Sequence, residues 1–229
     1  MTPGARKSAP PSAKNRAAHR TKAVVAAGAL LVVLVWALWP SPFSRVKNLG
    51  SRGSSVIAFG DSLTAGFGAF AGEDYPARLS SLIGETVVNA GVSGDTTEAA
   101  LARLESDVLS RNPRIVIVGL GGNDFLHGAD GPSTEAHLRT IVRKIEAGGA
   151  MVVLLGFRFP SITANYETMY ARVAHDEGCL LIPDLLHGIL NDPVLKSDEV
   201  HPNARGYQVM AERIAGPVRK LIRKANAAR

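Results

Sequence analysis

The chain is 229 residues long with a formal net charge of +6, which leaves room for one well-filled domain and an appendage. That charge is lopsided: up to Lys47 there are eight Lys and Arg and no acidic residue, and the remainder carries 18 basic against 20 acidic side chains. A near-neutral remainder excludes a nucleic-acid footprint on the folded part; the single cysteine excludes an intramolecular disulfide, and no Cys/His cluster has zinc spacing.

Residues 1–22 are rich in Ala, Pro, Ser, Lys and Arg without hydrophobic period, which predicts a disordered basic tail. Ala23 to Trp39 follows as 17 uncharged, overwhelmingly apolar residues, roughly 25 Å as a helix and the short end of what crosses a bilayer. Trp36 and Trp39 suit an interfacial aromatic belt, and six Lys/Arg precede the segment against Arg45, Lys47 and Arg52 after it. The pattern predicts a single-pass transmembrane signal anchor over 23–39, with the N-terminus in the cytoplasm. A cleaved signal peptide has the same charge order, but usually a shorter basic region and a better cleavage site than Trp39-Pro40-Ser41-Pro42-Phe43. A buried core helix is the third reading, and nothing in the segment is amphipathic. Residues 40–53, with their Pro, Ser and Gly, read as a linker.

From residue 54 onward short apolar runs alternate with helical patterns. Strands are expected at 55–59, 86–90, 114–119, 150–156 and 179–182, β-branched and apolar almost throughout, as in parallel strands covered on both faces. Cys179 opens the last of these and reads as a small buried hydrophobe. Thr96-Thr97 caps a helix through Ala100, Leu101, Leu104, Val108 and Leu109. Ser133-Thr134-Glu135 opens another with Leu138, Ile141, Val142 and Ile145. Tyr166 to His175 and Ala204 to Lys224 complete the set, the last with a basic, solvated end. Strands alternating with helices give an α/β fold, a three-layer α/β/α sandwich on a parallel sheet of about five strands. No internal repeat and no second folded domain is visible in 54–229.

Four blocks carry chemistry, each at the C-terminal edge of an expected strand or beyond the last one. Gly60-Asp61-Ser62-Leu63 places a hydroxyl after the first strand, and Gly66 and Gly68 follow it. Thr64 stands where a G-x-S-x-G elbow needs its second glycine. A serine hydroxyl is a weak nucleophile without a base, and Asp198-Glu199-Val200-His201 offers His201 with a carboxylate one turn earlier to hold the other ring nitrogen. Ser93-Gly94-Asp95 and Gly121-Gly122-Asn123-Asp124 offer donors for charge developing on a carbonyl oxygen: the Gly94 N–H, with no Cβ in the way, and the Asn123 amide. The plain alternatives are a turn glycine for Gly94 and an Asx-turn for Asn123. Asp61, Asp95 and Asp124 are expected to organise loops, and His127 to be a loop residue rather than a second base.

These blocks resemble those of the SGNH/GDSL hydrolases across essentially all of residues 54–220. Asn89-Ala90-Gly91-Val92-Ser93-Gly94-Asp95-Thr96, Leu101-Ala102-Arg103-Leu104 and Arg158-Phe159-Pro160 with Asn165-Tyr166 are most similar to the bacterial multifunctional acyl-thioesterase/lysophospholipase/arylesterase branch. The resemblance implies a flavodoxin-like sheet and a Ser62-His201-Asp198 mechanism with no metal or cofactor. It also implies an oxyanion site from the N–H groups of Ser62 and Gly94 with Asn123. The acyl groove would be bordered by loops near 66–75, 124–130 and 157–166. The substrate is then a small acyl ester or lipid-like molecule: an aryl ester, a lysophospholipid or an acyl thioester. A carbohydrate O-acetylesterase of the cell envelope uses the same machinery, and a non-catalytic, membrane-anchored binding protein is the alternative of another class. The branch is usually periplasmic and soluble. The expected anchor would instead hold this chain in the bacterial inner membrane with the catalytic domain outside the cytoplasm, and signal cleavage would give a secreted or periplasmic protein.

Overall fold

The computed structural model describes residues 41–158 and 164–229. The tail 1–22 and the expected anchor 23–39 lie outside the described residues. Among the described residues no helix is long and apolar enough to cross a membrane.

The elements in chain order are β1 Ser55–Gly60, α1 Ser62–Ala65, α2 Tyr75–Ile83, β2 Val87–Gly91, α3 Thr97–Asp107, β3 Pro113–Gly119, α4 Gly122–Leu126, α5 Gly131–Ala147, β4 Met151–Leu155, α6 Ala164–Glu177, β5 Leu180–Ile182 and α7 Ala204–Ala227. The five strands are all parallel, in the order β2-β1-β3-β4-β5, the flavodoxin-like order of a doubly wound sheet. Helices α2 and α7 pack together, as do α3 with α5 and α5 with α6. These two groups cover opposite faces, because right-handed crossovers put the β1–β2 connection on one side and those moving towards β5 on the other. The central strand β3 is buried along its whole length, which is why its sequence runs apolar without alternation.

The chain leaves β1 towards β2 on one side and returns to β3 on the other, so the sheet order reverses between β1 and β3. A crevice opens beyond the carboxyl ends of those two strands. Gly60 and Gly119 are paired there, and a Cβ on Gly60 would stand 2.2 Å from Thr64 Oγ1 and 2.5 Å from Gly119 O. Only glycine lets the turn after β1 fold back this closely.

Thr96 caps α3 as expected, its hydroxyl accepting the Ala99 N–H, although the helix ends at Asp107 and Leu109 falls in a separate 3-10 turn, Leu109–Arg111. Helix α5 starts before Ser133-Thr134. Asp130 accepts the Ser133 N–H and Pro132 occupies the first turn, where its missing donor costs nothing. Helix α2 was not expected at all, yet it carries a cap at Asp74 and a proline at Pro76.

The expected linker 40–53 is corrected from Phe43 onward, where the chain packs into the fold. Phe43 and Val46 are buried members of the core, and Lys220 Nζ sits 4.9 Å above the Phe43 ring. The Lys47 N–H donates to Gly178 O, Lys47 Nζ pairs with Glu146 at 2.9 Å, and Asn48 Nδ2 donates to Glu146 O and Ala150 O. These partners all lie where α5 ends and β4 and β5 begin, so the segment seals the N-terminal edge of the sheet, opposite the crevice. Each buried side chain contributes on the order of 1.5–3 kcal/mol. A chain beginning at Pro42 should therefore melt like the longer protein, whereas one beginning at Gly50 should melt at least about 6 °C lower by calorimetry.

Candidate active site

Ser62 is the first residue of α1, directly after Asp61, whose carboxylate caps that helix by accepting the Leu63 N–H at 3.0 Å. Its N–H therefore points out of the helix start without an intrahelical acceptor. Ser62 Oγ lies 3.0 Å from His201 Nε2, and His201 Nδ1 lies 2.8 and 3.0 Å from the two oxygens of Asp198.

The turn that carries His201 is built locally. Asp198 Oδ1 accepts the N–H groups of Val200 and His201, and the Ser197 N–H donates to His201 O. Asn203 then caps α7 by accepting the Arg205 and Gly206 N–H groups, and donates back to Val194 O and Lys196 O. One residue thus pins the loop to α7. Phe67 packs its ring on the imidazole at 4.5 Å between centroids, and Tyr207 holds the Phe67 carbonyl at 2.7 Å.

Burial alone would raise the Asp198 carboxyl, but hydrogen bonds from the Val200 N–H, the His201 ring and the His201 N–H outweigh it and hold the acid below its ordinary value. An ionised carboxylate only accepts, so His201 Nδ1 carries the proton and Nε2 turns its lone pair to the Ser62 hydroxyl. The arrangement can take a proton from Ser62 as its oxygen attacks.

Across the crevice Asn123 sits in the first turn of α4, and its Nδ2 donates to Asp95 O at 2.9 Å. Asp124 accepts the N–H and hydroxyl of Thr97, which locks α4 against the start of α3. Ser62, His201, Asn123, Asp61 and Leu126 line one small cleft. Gly94 stands on the neighbouring turn, exposed, at φ +86°, in the left-handed region that suits glycine. Its neighbour Asp95 is joined to Asn123, which brings the second block beside the third. A wider groove of about 570 Å³ runs between Gly68–Glu73 and Val194–Arg205, and exposed Phe67 and Phe70 stand on its near loop. Loop 66–75 borders this groove, whose lining does not include Ser62, Asn123 or His201; of the expected border 157–166, residues 159–163 lie outside the described residues.

Asp61, Asp95 and Asp124 organise loops, Asp95 through Arg103 Nε at 2.6 Å. His127 ends α4 at an exposed position. Sequence reasoning passed over Phe67, Tyr207 and the role of Arg103. Cys179 is buried, and burial pushes its thiol up to about 12. Among the described residues no group of three or more His, Cys, Asp or Glu is placed to hold a metal ion.

Asp61 is the unusual acid of the site. Burial, aided by the charges of Asp95 and Asp124 and opposed by the Leu63 N–H, raises it to about 7. The native protein then keeps a proton that the unfolded chain releases near 3.8. Between those values the folded state binds more protons, so this group's contribution falls as pH rises. Asp61→Asn keeps the acceptor for Leu63 and carries no charge. It should match the parent's melting temperature near pH 4 and exceed it by several degrees at pH 8, as read by thermal denaturation across pH.

Comparison with known proteins agrees with the geometry. The GDSL-like Lipase/Acylhydrolase family matches residues 58–209. The chain is 32% identical over 198 residues, covering 80% of it, to the "Thioesterase 1/protease 1/lysophospholipase L1" of Escherichia coli strain K12, of which 94% is covered. It is 30% identical over 184 residues to the arylesterase of Vibrio mimicus, covering 76% of this chain and 92% of that one. Among solved structures it is similar to the crystal structure of TesA, with a TM-score of 0.70 and 28% identity over 73% of this chain and 99% of that one. The chain belongs to the GDSL-like lipase/acylhydrolase family, the SGNH/GDSL hydrolases, and is a carboxylic ester hydrolase.

Proposed function

We propose that this esterase works through Ser62 as nucleophile, His201 as proton carrier and Asp198 as its orienter, by way of an acyl-enzyme. The observation that carries the reading is the unbroken run from the Asp198 carboxylate through His201 to Ser62 Oγ, with contacts of 2.8 and 3.0 Å. Ser62 Oγ attacks the acyl carbon while His201 Nε2 takes its proton. The carbonyl electrons move to oxygen, where the N–H groups of Ser62 and Gly94 and the Asn123 amide stabilise the charge. Asn123 Nδ2 gives one hydrogen to Asp95 O and keeps the second for the oxyanion. Collapse expels the alcohol or thiol, which takes the proton from His201. Water then attacks the acyl-Ser62 ester with the same base, and the acid leaves.

The names of the relatives, a thioesterase/lysophospholipase and an arylesterase, support aryl esters, lysophospholipids or acyl thioesters as substrates. The apolar loop around exposed Phe67 and Phe70 suits such groups. A panel of p-nitrophenyl esters of rising acyl length, with an acyl-CoA and a lysophospholipid, tests this. Turnover rising with chain length supports it. Activity confined to acetyl esters would favour the carbohydrate O-acetylesterase reading, and no turnover at all would favour a binding protein.

We further propose that Ala23–Trp39 anchors the protein in the bacterial inner membrane with the folded part in the periplasm. Its support is the uncharged apolar run and the excess of Lys/Arg before it. The full chain should stay with membranes after carbonate extraction. N-terminal sequencing that finds a mature protein starting after Trp39 would mean a cleaved signal.

A further inference from the structure

Arg103 lies on α3, away from the triad, with its side chain only 17% exposed. Its guanidinium fork makes four hydrogen bonds. Nε donates to Asp95 Oδ2 at 2.6 Å, Nη1 to Ala90 O at 3.0 Å and Asp107 Oδ2 at 2.9 Å, and Nη2 to Gly60 O at 3.0 Å. Its flat face covers the Phe59 ring at 4.4 Å. Three of these partners are parts of the site's own scaffold. Gly60 closes β1 two residues before Ser62, Ala90 lies in β2 four residues before Gly94, and Asp95 follows Gly94 directly. The fourth partner, Asp107, lies on α3 itself, and a further, indirect link runs through Asp95, whose carbonyl oxygen receives the Asn123 amide. One planar cation therefore joins the turns that carry all the proposed oxyanion donors.

A purely structural role explains this poorly. Helix α3 is already held in place by buried Ala100 and Leu104 in the core and by the Thr97–Asp124 contact with α4. The fork instead fixes a distance: it ties the end of β1 to the turn after β2, and so sets Ser62 against Gly94 and Asn123. Lysine keeps the charge but has a single nitrogen and no fork, so it cannot hold Gly60 O, Ala90 O and Asp95 together.

We propose that Arg103 is the positioning residue of the oxyanion site, holding the Gly94 N–H and the Asn123 amide at the spacing that the tetrahedral intermediate needs. This rests on the mechanism proposed above for Ser62. Donors that act on charge appearing only in the transition state change the chemical step and leave substrate binding alone.

The test uses the full chain and measures the acylation rate constant and substrate affinity separately, since an accumulating acyl-enzyme distorts KM. Arg103→Lys should lower the acylation rate by roughly 10- to 100-fold with substrate affinity within about threefold, less than the loss of a whole donor. Affinity for an alkylboronic acid, which takes the tetrahedral form on Ser62, should fall in parallel. Millimolar guanidinium chloride should restore part of the rate to Arg103→Ala and none to Ser62→Ala. A rate within twofold of the parent in Arg103→Lys, or a loss shared equally by substrate affinity, overturns the proposal, as does an Arg103→Ala that guanidinium leaves unchanged. Ser62→Ala, run in parallel, separates the two ideas: if it stays active the mechanism itself is wrong, and if it is inactive while Arg103→Lys is normal only the role of Arg103 falls.

Discussion

Ser62→Ala lowers esterase kcat/KM by at least about 1000-fold while the melting temperature stays within a degree or two, because members of such a site act as one unit. The fold has little to lose there. The hydroxyl contacts His201 Nε2, whereas α1 is capped by Asp61 and closed by the Gly66 N–H on Ser62 O, neither of which needs the Ser62 side chain. Alanine at the first helical position keeps the backbone as it is. The residual rate, from the oxyanion donors acting on water, should be measurable with an activated aryl ester. The experiment is best done on a chain starting at Pro42, which retains Phe43 and Val46 in the core. Retained activity on a short-chain ester would assign the attack to another group, whatever the natural substrate is.

The sheet was legible because parallel strands buried on both faces write themselves as continuous β-branched runs; Val116, Ile117 and Val118 have no exposed surface at all. The site was legible for a related reason. In a sheet of this kind groups at the carboxyl ends of strands converge, so blocks far apart in sequence could be read as neighbours, and Ser62 and His201 meet across 139 positions. What was hidden has no period. Residues 42–53 contribute Phe43, Val46 and Asn48 singly, from turns, and their partners on α5, β4 and α7 are known only once the chain is folded. Helix α2 is nine residues long, short enough for its apolar positions Tyr75, Leu79 and Leu82 to be lost beside a glycine-rich loop. The role of Arg103 has no such pattern either, since two of its acceptors are backbone carbonyls on β2 and β1. Sequence patterns record side chains, and a contact to a carbonyl leaves no mark in them.

The second large effect divides His201 from Asp198. His201→Ala removes the base and should cost about as much as Ser62→Ala. Asp198→Asn should cost on the order of 10²–10⁴ in kcat, for a reason specific to this turn. Asp198 Oδ1 already accepts the Val200 and His201 N–H groups. An asparagine keeps its single carbonyl oxygen on those donors and turns its NH2 towards His201 Nδ1. Nδ1 must then be the acceptor, the ring proton moves to Nε2, and the nitrogen facing Ser62 can no longer take a proton. The turn itself survives, so the melting temperature changes little. In the parent, Asp198, held below its ordinary value, stays ionised in mild acid. Asp198→Asn should therefore scale the whole pH profile down rather than restore activity at any pH. An Asp198→Asn variant that loses less than about tenfold would contradict this tautomer and with it the assignment of His201 as the base.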